Sequence, residues 1–415
     1  MSVESNIPNG WVAVTLEAVI DSANTGLDAI KRAPIVEEET GVKCFRIQDA
    51  SQKKKYKYWG NTKVEDKNYQ RFKLLKGDIL IARTGNTIGV NYLVKEDIKS
   101  VFNNGLIRLR VNDKCYYEFL YKIIESNLFD RYVQSIAYGT STQPNMQINV
   151  LLGFDLWLPP IDEQKAIAKI LTSFDDKIEL LESQNKTLET SAQTIFKEWF
   201  CKYQIDDDLP DGWRAGKLGE VVEKSNTGAD AIKKAPIVEY DTGIRCLRIG
   251  DLSNNRAFDQ WGFSKVTDKN FKQFQLKKFD ILITRTSILG LNKLIMEDLD
   301  SVYNNGLIKV SLIKSINPFF IYGYFRSKYY KDYINMINND TSTRPNMKID
   351  YLLDFPILFP VKELENKFSD IMESILKKIT SNTSQIQTLN KNRDTLLPKL
   401  MNGSLRINEF KDNEV

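Results

Sequence analysis

The chain spells nearly the same domain twice. "APIVE" at Ala33–Glu37 returns at Ala235–Glu239, "TGVKCFRIQD" at Thr40–Asp49 returns as "TGIRCLRIGD" at Thr242–Asp251, and "DILIART" at Asp78–Thr84 returns as "DILITRT" at Asp280–Thr286. These pairs share an offset of 202 residues. After a one-residue gap the offset is 201: "FNNGLIRL" from Phe102 matches "YNNGLIKV" from Tyr303, and "TSTQPNM" from Thr140 matches "TSTRPNM" from Thr341. Short repeats build solenoids, whereas a unit this long is a whole domain. Two similar domains in one chain imply approximate two-fold symmetry, which suits a two-fold target or two copies of one partner.

The length of 415 residues suits two or three domains. A 42% hydrophobic share supplies real cores, while 27% charged residues and a mean hydropathy of −0.36 predict a soluble chain. No apolar run reaches membrane-spanning length, and "MSVESNIPNGW" lacks a signal-peptide profile, so a cytoplasmic location is the default expectation. Cys44, Cys115, Cys201 and Cys246 form no CxxC pair, which leaves zinc and redox motifs unsupported. Cys44 and Cys246 are repeat equivalents in strand-like runs and read as buried thiols. The chain contains no histidine. That removes Ser-His-Asp and Cys-His catalysis, histidine metal ligands and the usual general base. A net charge of +4 is compatible with nucleic acid without requiring it.

The pattern along the chain predicts an α+β protein. Each repeat opens with a Pro-Gly turn and a Trp expected to plug the core, "IPNGW" at Ile7–Trp11 and "LPDGW" at Leu209–Trp213. Strand-like runs follow at Cys44–Ile47, Asp78–Ala82 and Leu106–Val111, then a helical stretch over Tyr116–Ile136. The globular part closes on "FDLWLPP" and "FPILFP". Then the period changes. Phe174, Ile178, Leu181, Asn185, Leu188, Ala192, Ile195 and Trp199 alternate spacings of four and three, a heptad seam. The same offset of 201 gives a second seam: Ile375, Ile379, Asn382, Ile386, Leu389, Arg393, Leu396 and Leu400. A helix over 163–199 would be roughly 55 Å long. The two helices are natural antiparallel partners, with Asn185 and Asn382 fixing register. The expected division is residues 1–160 and 203–361 for the two domains, 161–202 and 362–402 for the long helices, and 403–415 for a tail.

No catalytic signature emerges. The one Pro-Pro, at Pro159-Pro160, has the wrong neighbours for an adenine-gripping methyltransferase loop. Gly212–Lys217 is one residue short of a phosphate loop. Glu365-Asn366-Lys367 has the spacing of a metal nuclease but starts a predicted helix and reads as surface charge. No catalytic, metal or cofactor site is therefore assigned, and a recognition or scaffold protein is expected.

At this point the residues resemble a known family. "KGDILIARTGNTIG" (Lys76–Gly89), "GTSTQPNM" (Gly139–Met146), "LWLPPIDEQKAIAKIL" (Leu156–Leu171), "IFKEWF" (Ile195–Phe200) and "NRDTLLPKLMNGSLRI" (Asn392–Ile407) look, in that order, like the specificity subunit of a type I restriction–modification system. The resemblance covers essentially the whole chain. It implies two target-recognition domains, each reading half of a bipartite DNA sequence, separated by two long antiparallel coiled-coil helices that dock two methyltransferase subunits. S-adenosylmethionine would belong to those subunits. ATP and Mg would belong to restriction subunits, two of them where they exist. One departure is that "PPIDEQKAIAKIL" becomes "PVKELENKFSDIM" at Pro360–Met372, with no clean counterpart of Glu163-Gln164.

On that reading, Lys and Arg supply affinity for phosphates and polar side chains read base edges. One candidate loop in the first domain is Arg83, Thr84, Asn86 and Thr87, matched by Arg285, Thr286 and Ser287. Another is Thr140, Ser141, Thr142, Gln143 and Asn145, matched by Thr341, Ser342, Thr343, Arg344 and Asn346. Gln suits adenine and Arg suits guanine, so Gln143/Arg344 is a point where half-sites would differ. Capping of strand ends explains the same loops equally well. Lys53, Lys54, Lys55 and Lys57, interleaved with Tyr56, Tyr58 and Trp59, suit either a phosphate-tracking edge or a solvated loop. Phe196, Trp199 and Phe200, with Leu396, Leu397, Leu400 and Met401, are the expected partner-binding faces of the helices; mutual packing is the alternative. Similar readers in inverted orientation predict a near-palindromic target, with half-sites more than one helical turn (~34 Å) apart. Competing readings are a specificity subunit for a fused cutting-and-methylating enzyme, a non-DNA coiled-coil scaffold, and a nuclease using Glu365 and Lys367.

Overall fold

The computed structural model describes residues 7–28, 30–137, 145–340 and 346–407, without the side chains of 339 and 340. It divides into two compact units, Met1–Leu180 with Gln385–Val415, and Leu181–Ser384. The cut passes through both long helices, Ile161–Phe200 and Lys362–Met401, so each unit holds one globular domain and half of each helix.

In the first unit the strands are β1 (Val12–Thr15), β2 (Ile20–Thr25), β3 (Ile35–Val36), β4 (Lys43–Phe45), β5 (Gly60–Thr62), β6 (Ile79–Ala82), β7 (Asn91–Leu93), β8 (Ser100–Phe102), β9 (Leu106–Val111) and β10 (Asp155–Leu158). They form an antiparallel sheet ordered β2-β9-β6-β7, a second sheet ordered β3-β5-β4-β8 with a parallel β4–β8 pair, and a β1–β10 ribbon. The second unit repeats the three sheets strand for strand. The helical stretch expected over 116–136 is two helices, Tyr117–Ile124 and Asn127–Ala137.

The strand period of two explains the layering. Ile79 and Ile81 of β6 enter a core shared with the helices, while Leu80 and Ala82 enter a core shared with the second sheet. Both faces of β6 are therefore covered, which is why "ILIA" is an unbroken apolar run. Ile281 and Ile283 divide from Leu282 in the same way. Trp11 is buried, and its Nε1 donates to Glu163 at 3.0 Å; Trp213 is only half-buried. Cys44, Cys115 and Cys246 are free and buried, and burial pushes each thiol up to about 12.

Within each unit the helix halves run antiparallel and are stitched by different chemistry. In the first, Arg406 binds Glu163 at 2.7 Å and Arg393 binds Asp175 at 2.8 Å, while Lys122 reaches Asp175 at 2.5 Å. In the second, Asn382 Nδ2 donates to Asn185 Oδ1 at 2.9 Å, the meeting expected to fix register, and Phe196 packs on Phe368. Burial raises the Asp175 pKa, yet hydrogen bonds from Lys122 and Arg393 outweigh it and hold the carboxyl below the usual range. A carboxyl depressed in the folded state contributes stability that is fully present above the unfolded value of about 3.9 and is lost as pH falls from there through the folded value. The first unit should therefore weaken on acidification below about pH 4. Asp175→Asn should remove that component and flatten the acid limb, read by urea denaturation across pH. An unchanged acid limb would refute the assignment.

The departure at Glu163-Gln164 is corrected at the second of its two positions. Gln164 Oε1 accepts Tyr116 N at 2.7 Å, and its Nε2 donates to Lys114 O at 3.0 Å. At the matching place Glu365 Oε1 accepts Asn317 N at 3.0 Å, and Lys362 Nζ donates to Ser315 O at 2.8 Å. A Glu–Lys pair, joined at 2.7 Å, thus takes over the role of one amide. Glu365 is also buried rather than the surface charge expected, and both groups bonded to it are protein donors.

Candidate nucleic-acid interface

β6 carries the first candidate loop to the end of the sheet. At its entrance buried Asp78 accepts Arg110 Nε and Nη2 at 2.7 and 2.8 Å and Leu75 N at 2.8 Å. At its exit Arg83 N donates to Gly105 O at 2.9 Å, Met146 N donates to Arg83 O at 2.9 Å, and Thr84 bridges Asn145 in antiparallel fashion. Two loops 62 residues apart in sequence thereby become one edge, closed by Arg83 Nη2 donating to Asn145 Oδ1 at 2.9 Å. Met146, 1% exposed, anchors it.

The second domain builds the same edge. Arg285 N donates to Gly306 O, Met347 N donates to Arg285 O at 2.8 Å, and Thr286 bridges Asn346. The arginine differs: Arg285 Nε donates to Met347 O at 3.2 Å instead of to an asparagine side chain. Gly85 and Ser287 both adopt left-handed backbone, at φ of 71° and 64°, so the turn shape survives a change of residue. Asn86 and Ser287 are exposed, while Thr84, Thr87 and Thr286 are half-exposed. Thr140, Ser141, Thr142, Gln143, Thr341, Ser342, Thr343 and Arg344 lie outside the described residues.

The lysine segment divides. Lys54 binds buried Asp49 at 3.6 Å, as Arg256 binds Asp251 at 3.1 Å, so this cation neutralises a buried carboxylate. Lys53, Lys55 and Lys57 are exposed, with Lys57 over the Tyr58 ring at 4.8 Å.

The expected partner-binding residues are placed differently from the exposed faces foreseen. Phe196 and Phe200, each 1% exposed, sit in the second unit's core, with Phe196 ring centroids 4.8 Å from Tyr324 and 5.3 Å from Phe368. Leu400, 1% exposed, belongs to the first unit's core, with Leu396, Leu397 and Met401 packed on it. Trp199 is half-buried against Phe200 and Phe368. The second domain covers Phe196 and Phe200 with its own aromatic residues, and the first takes Leu400 into its core.

Sequence reasoning left the Asn103–Gly105 turn unassigned, although its repetition as "NNG" was visible. It backs the arginine, and a Cβ on Gly105 would stand 2.5 Å from Ile47 Cδ1. Among the described residues no His, Cys, Asp and Glu cluster is placed to hold a metal, and no helix is long and apolar enough to cross a membrane.

The family model for the type I restriction modification DNA specificity domain matches twice, at residues 8–190 and 210–391. The chain is 27% identical over 357 residues to the type I restriction enzyme MjaIX specificity subunit of Methanocaldococcus jannaschii, covering 81% of this chain and 79% of that one. It is 26% identical over 404 residues to the HindI specificity subunit of Haemophilus influenzae, covering 80% and 87%. The fold matches the crystal structure of a type I restriction–modification S subunit from M. genitalium with a TM-score of 0.65 at 18% identity, over 97% of this chain and 98% of that one. With both halves matching one domain model and the full fold matching an S subunit, the chain belongs to the type I restriction–modification specificity subunits.

Proposed function

We propose that each domain reads one half of a bipartite DNA target at the edge where the β6 exit meets Asn145 or its counterpart Asn346. The observation that carries this reading is the edge itself, built twice from the same bridge and the same backbone bonds around Arg83 and Arg285. Such a frame holds backbone geometry constant while a residue on it varies, as Gly85 and Ser287 do; in the sequence beside it Gln143 is exchanged for Arg344. Exposed Lys53, Lys55 and Lys57 supply phosphate affinity to the first domain, where the second has Asn255, Ala257 and Asp259. Two like readers presented to the two strands in inverted orientation would select a near-palindromic target.

Two methyltransferase subunits would dock on the long helices and carry S-adenosylmethionine. Restriction subunits, where present, would use ATP and Mg. Because Phe196, Phe200 and Leu400 are buried, docking would use the outward polar faces of the helices. This assembly would act in the cytoplasm.

Mapping methylated adenines in cells with and without this chain tests the function: a bipartite motif should vanish with the chain, and an unchanged pattern would overturn it. Transplanting residues 285–290 and 341–347 in place of 83–89 and 140–146 tests the edge. The first half-site should take on the second's sequence while the second stays unchanged; a folded chimera with an unaltered motif refutes the assignment.

A further inference from the structure

We propose that Ile30 and Ile232 make matching apolar DNA contacts, one per domain, each with the C5 methyl of a thymine in its half-site. This rests on the DNA-reading function above and names a contact within it. They are 82% and 83% exposed, more than any other large apolar side chain among the described residues. An isolated exposed aliphatic is ordinary. These two stand at one repeat position, in "DAIK" at 28–31 and 230–233; Ile35 and Ile237 are also retained, but their side chains lie against Gly60 and Gly262, whereas Lys53, Lys55, Lys57 and Tyr58 are replaced by Asn255, Ala257, Asp259 and Gln260. Packing gives no reason for the retention of Ile30 and Ile232, because neither side chain packs.

One aspartate holds the backbone at each isoleucine and the residues after it. Asp28 Oδ1 accepts Lys31 N at 2.8 Å and Ile30 N at 3.0 Å, and its carbonyl accepts Arg32 N and Ala33 N at 3.2 and 3.0 Å. Asp230 makes the same four bonds, to Lys233 N, Ile232 N, Lys234 N and Ala235 N. Backbone held in this way at Ile30 and Ile232 loses little freedom on binding. Exposed Lys31 and Arg32, and Lys233 and Lys234, flank it. Cations beside a lone aliphatic fit phosphates around a thymine methyl better than an apolar protein surface.

The loop also leaves from the reading edge. Leu27 N donates to Phe102 O at 2.8 Å, and Asn104 N donates to Leu27 O at 2.9 Å, in the turn whose Gly105 carbonyl receives Arg83 N. Ala229, Tyr303, Asn305, Gly306 and Arg285 repeat the arrangement. Gly26 permits this approach, since a Cβ there would stand 2.2 Å from Phe102 O.

The test uses the full chain assembled with its methyltransferase subunits and its mapped target duplex. Ile30→Ser and Ile232→Ser should each lower affinity about 10-fold, with melting temperature and assembly unchanged. Replacing the contacted thymine by deoxyuridine should weaken the wild type equally and add nothing to the matching variant. Specific binding by the wild type secures the underlying reading independently. If it binds and both variants bind like it, the inference fails. It fails equally if uracil substitutions all add to the variants' losses, or if the variants lose assembly instead, which would assign the isoleucines to the protein partner.

Discussion

Asp78→Ala is expected to destabilise the first unit by about 3–5 kcal/mol. Asp78 is fully buried and answers the Arg110 guanidinium through two bonds at 2.7 and 2.8 Å, while also accepting Leu75 N. Removing it strands a charge and a backbone donor at the root of the strand that carries Arg83. Arg110→Met in the same background should recover part of the loss, because the uncompensated charge leaves with it. In the second unit the counterion has moved. Asp280 meets Lys309 at 3.2 Å and Ser311 Oγ at 2.6 Å, where the first unit has Arg108 and Arg110. Lys309, 6% exposed, would be left with only its bond to Gln275 O at 3.0 Å, so Asp280→Ala should also cost about 3–5 kcal/mol. Urea denaturation of the three variants checks both statements, and a wild-type midpoint for Asp78→Ala would sink the first.

Phe196→Ala is expected to cost the second unit about 3–5 kcal/mol. The ring meets Phe200, Tyr324 and Phe368 within 5.3 Å, and Gly323 leaves room for it: a Cβ there would stand 2.6 Å from the Phe196 ring. Glycine's placement in a helix is otherwise unfavourable by about 1 kcal/mol relative to alanine, so this site exchanges helix propensity for aromatic packing. Phe196→Leu should cost much less, and the first unit's transition should not move. The opposite pattern, with stability intact and methyltransferase binding lost, would return Phe196 to the role of a partner contact.

Several features were legible because they are periodic or repeated. The seam with Asn185 and Asn382 followed from spacing, since a helix puts every third or fourth residue on one face. The run Asp78–Ala82 followed from its apolar density. Repetition located both reader loops but did not reveal that Arg83 reaches Asn145, since no local pattern records a contact across 62 residues. Gln164 and Glu365 mark the same limit: the match looked broken because Lys362, three residues earlier, supplies the missing donor.

Periodicity and duplication alone therefore decide that there are two like domains, two long helices and one seam, because these depend on residues near one another along the chain. Tertiary packing decides the rest. An aromatic such as Phe196 is apolar whether it meets its own domain or another protein, and only the Gly323 gap beside it makes it core. An arginine such as Arg83 suits a base edge or a strand end, and only the Asn145 bridge gives it a fixed position. Ile30 is the reverse case. Its side chain has the chemistry of a core residue, and only the closed loop around Asp28 holds it out in water, because those four bonds leave it no path back to the interior.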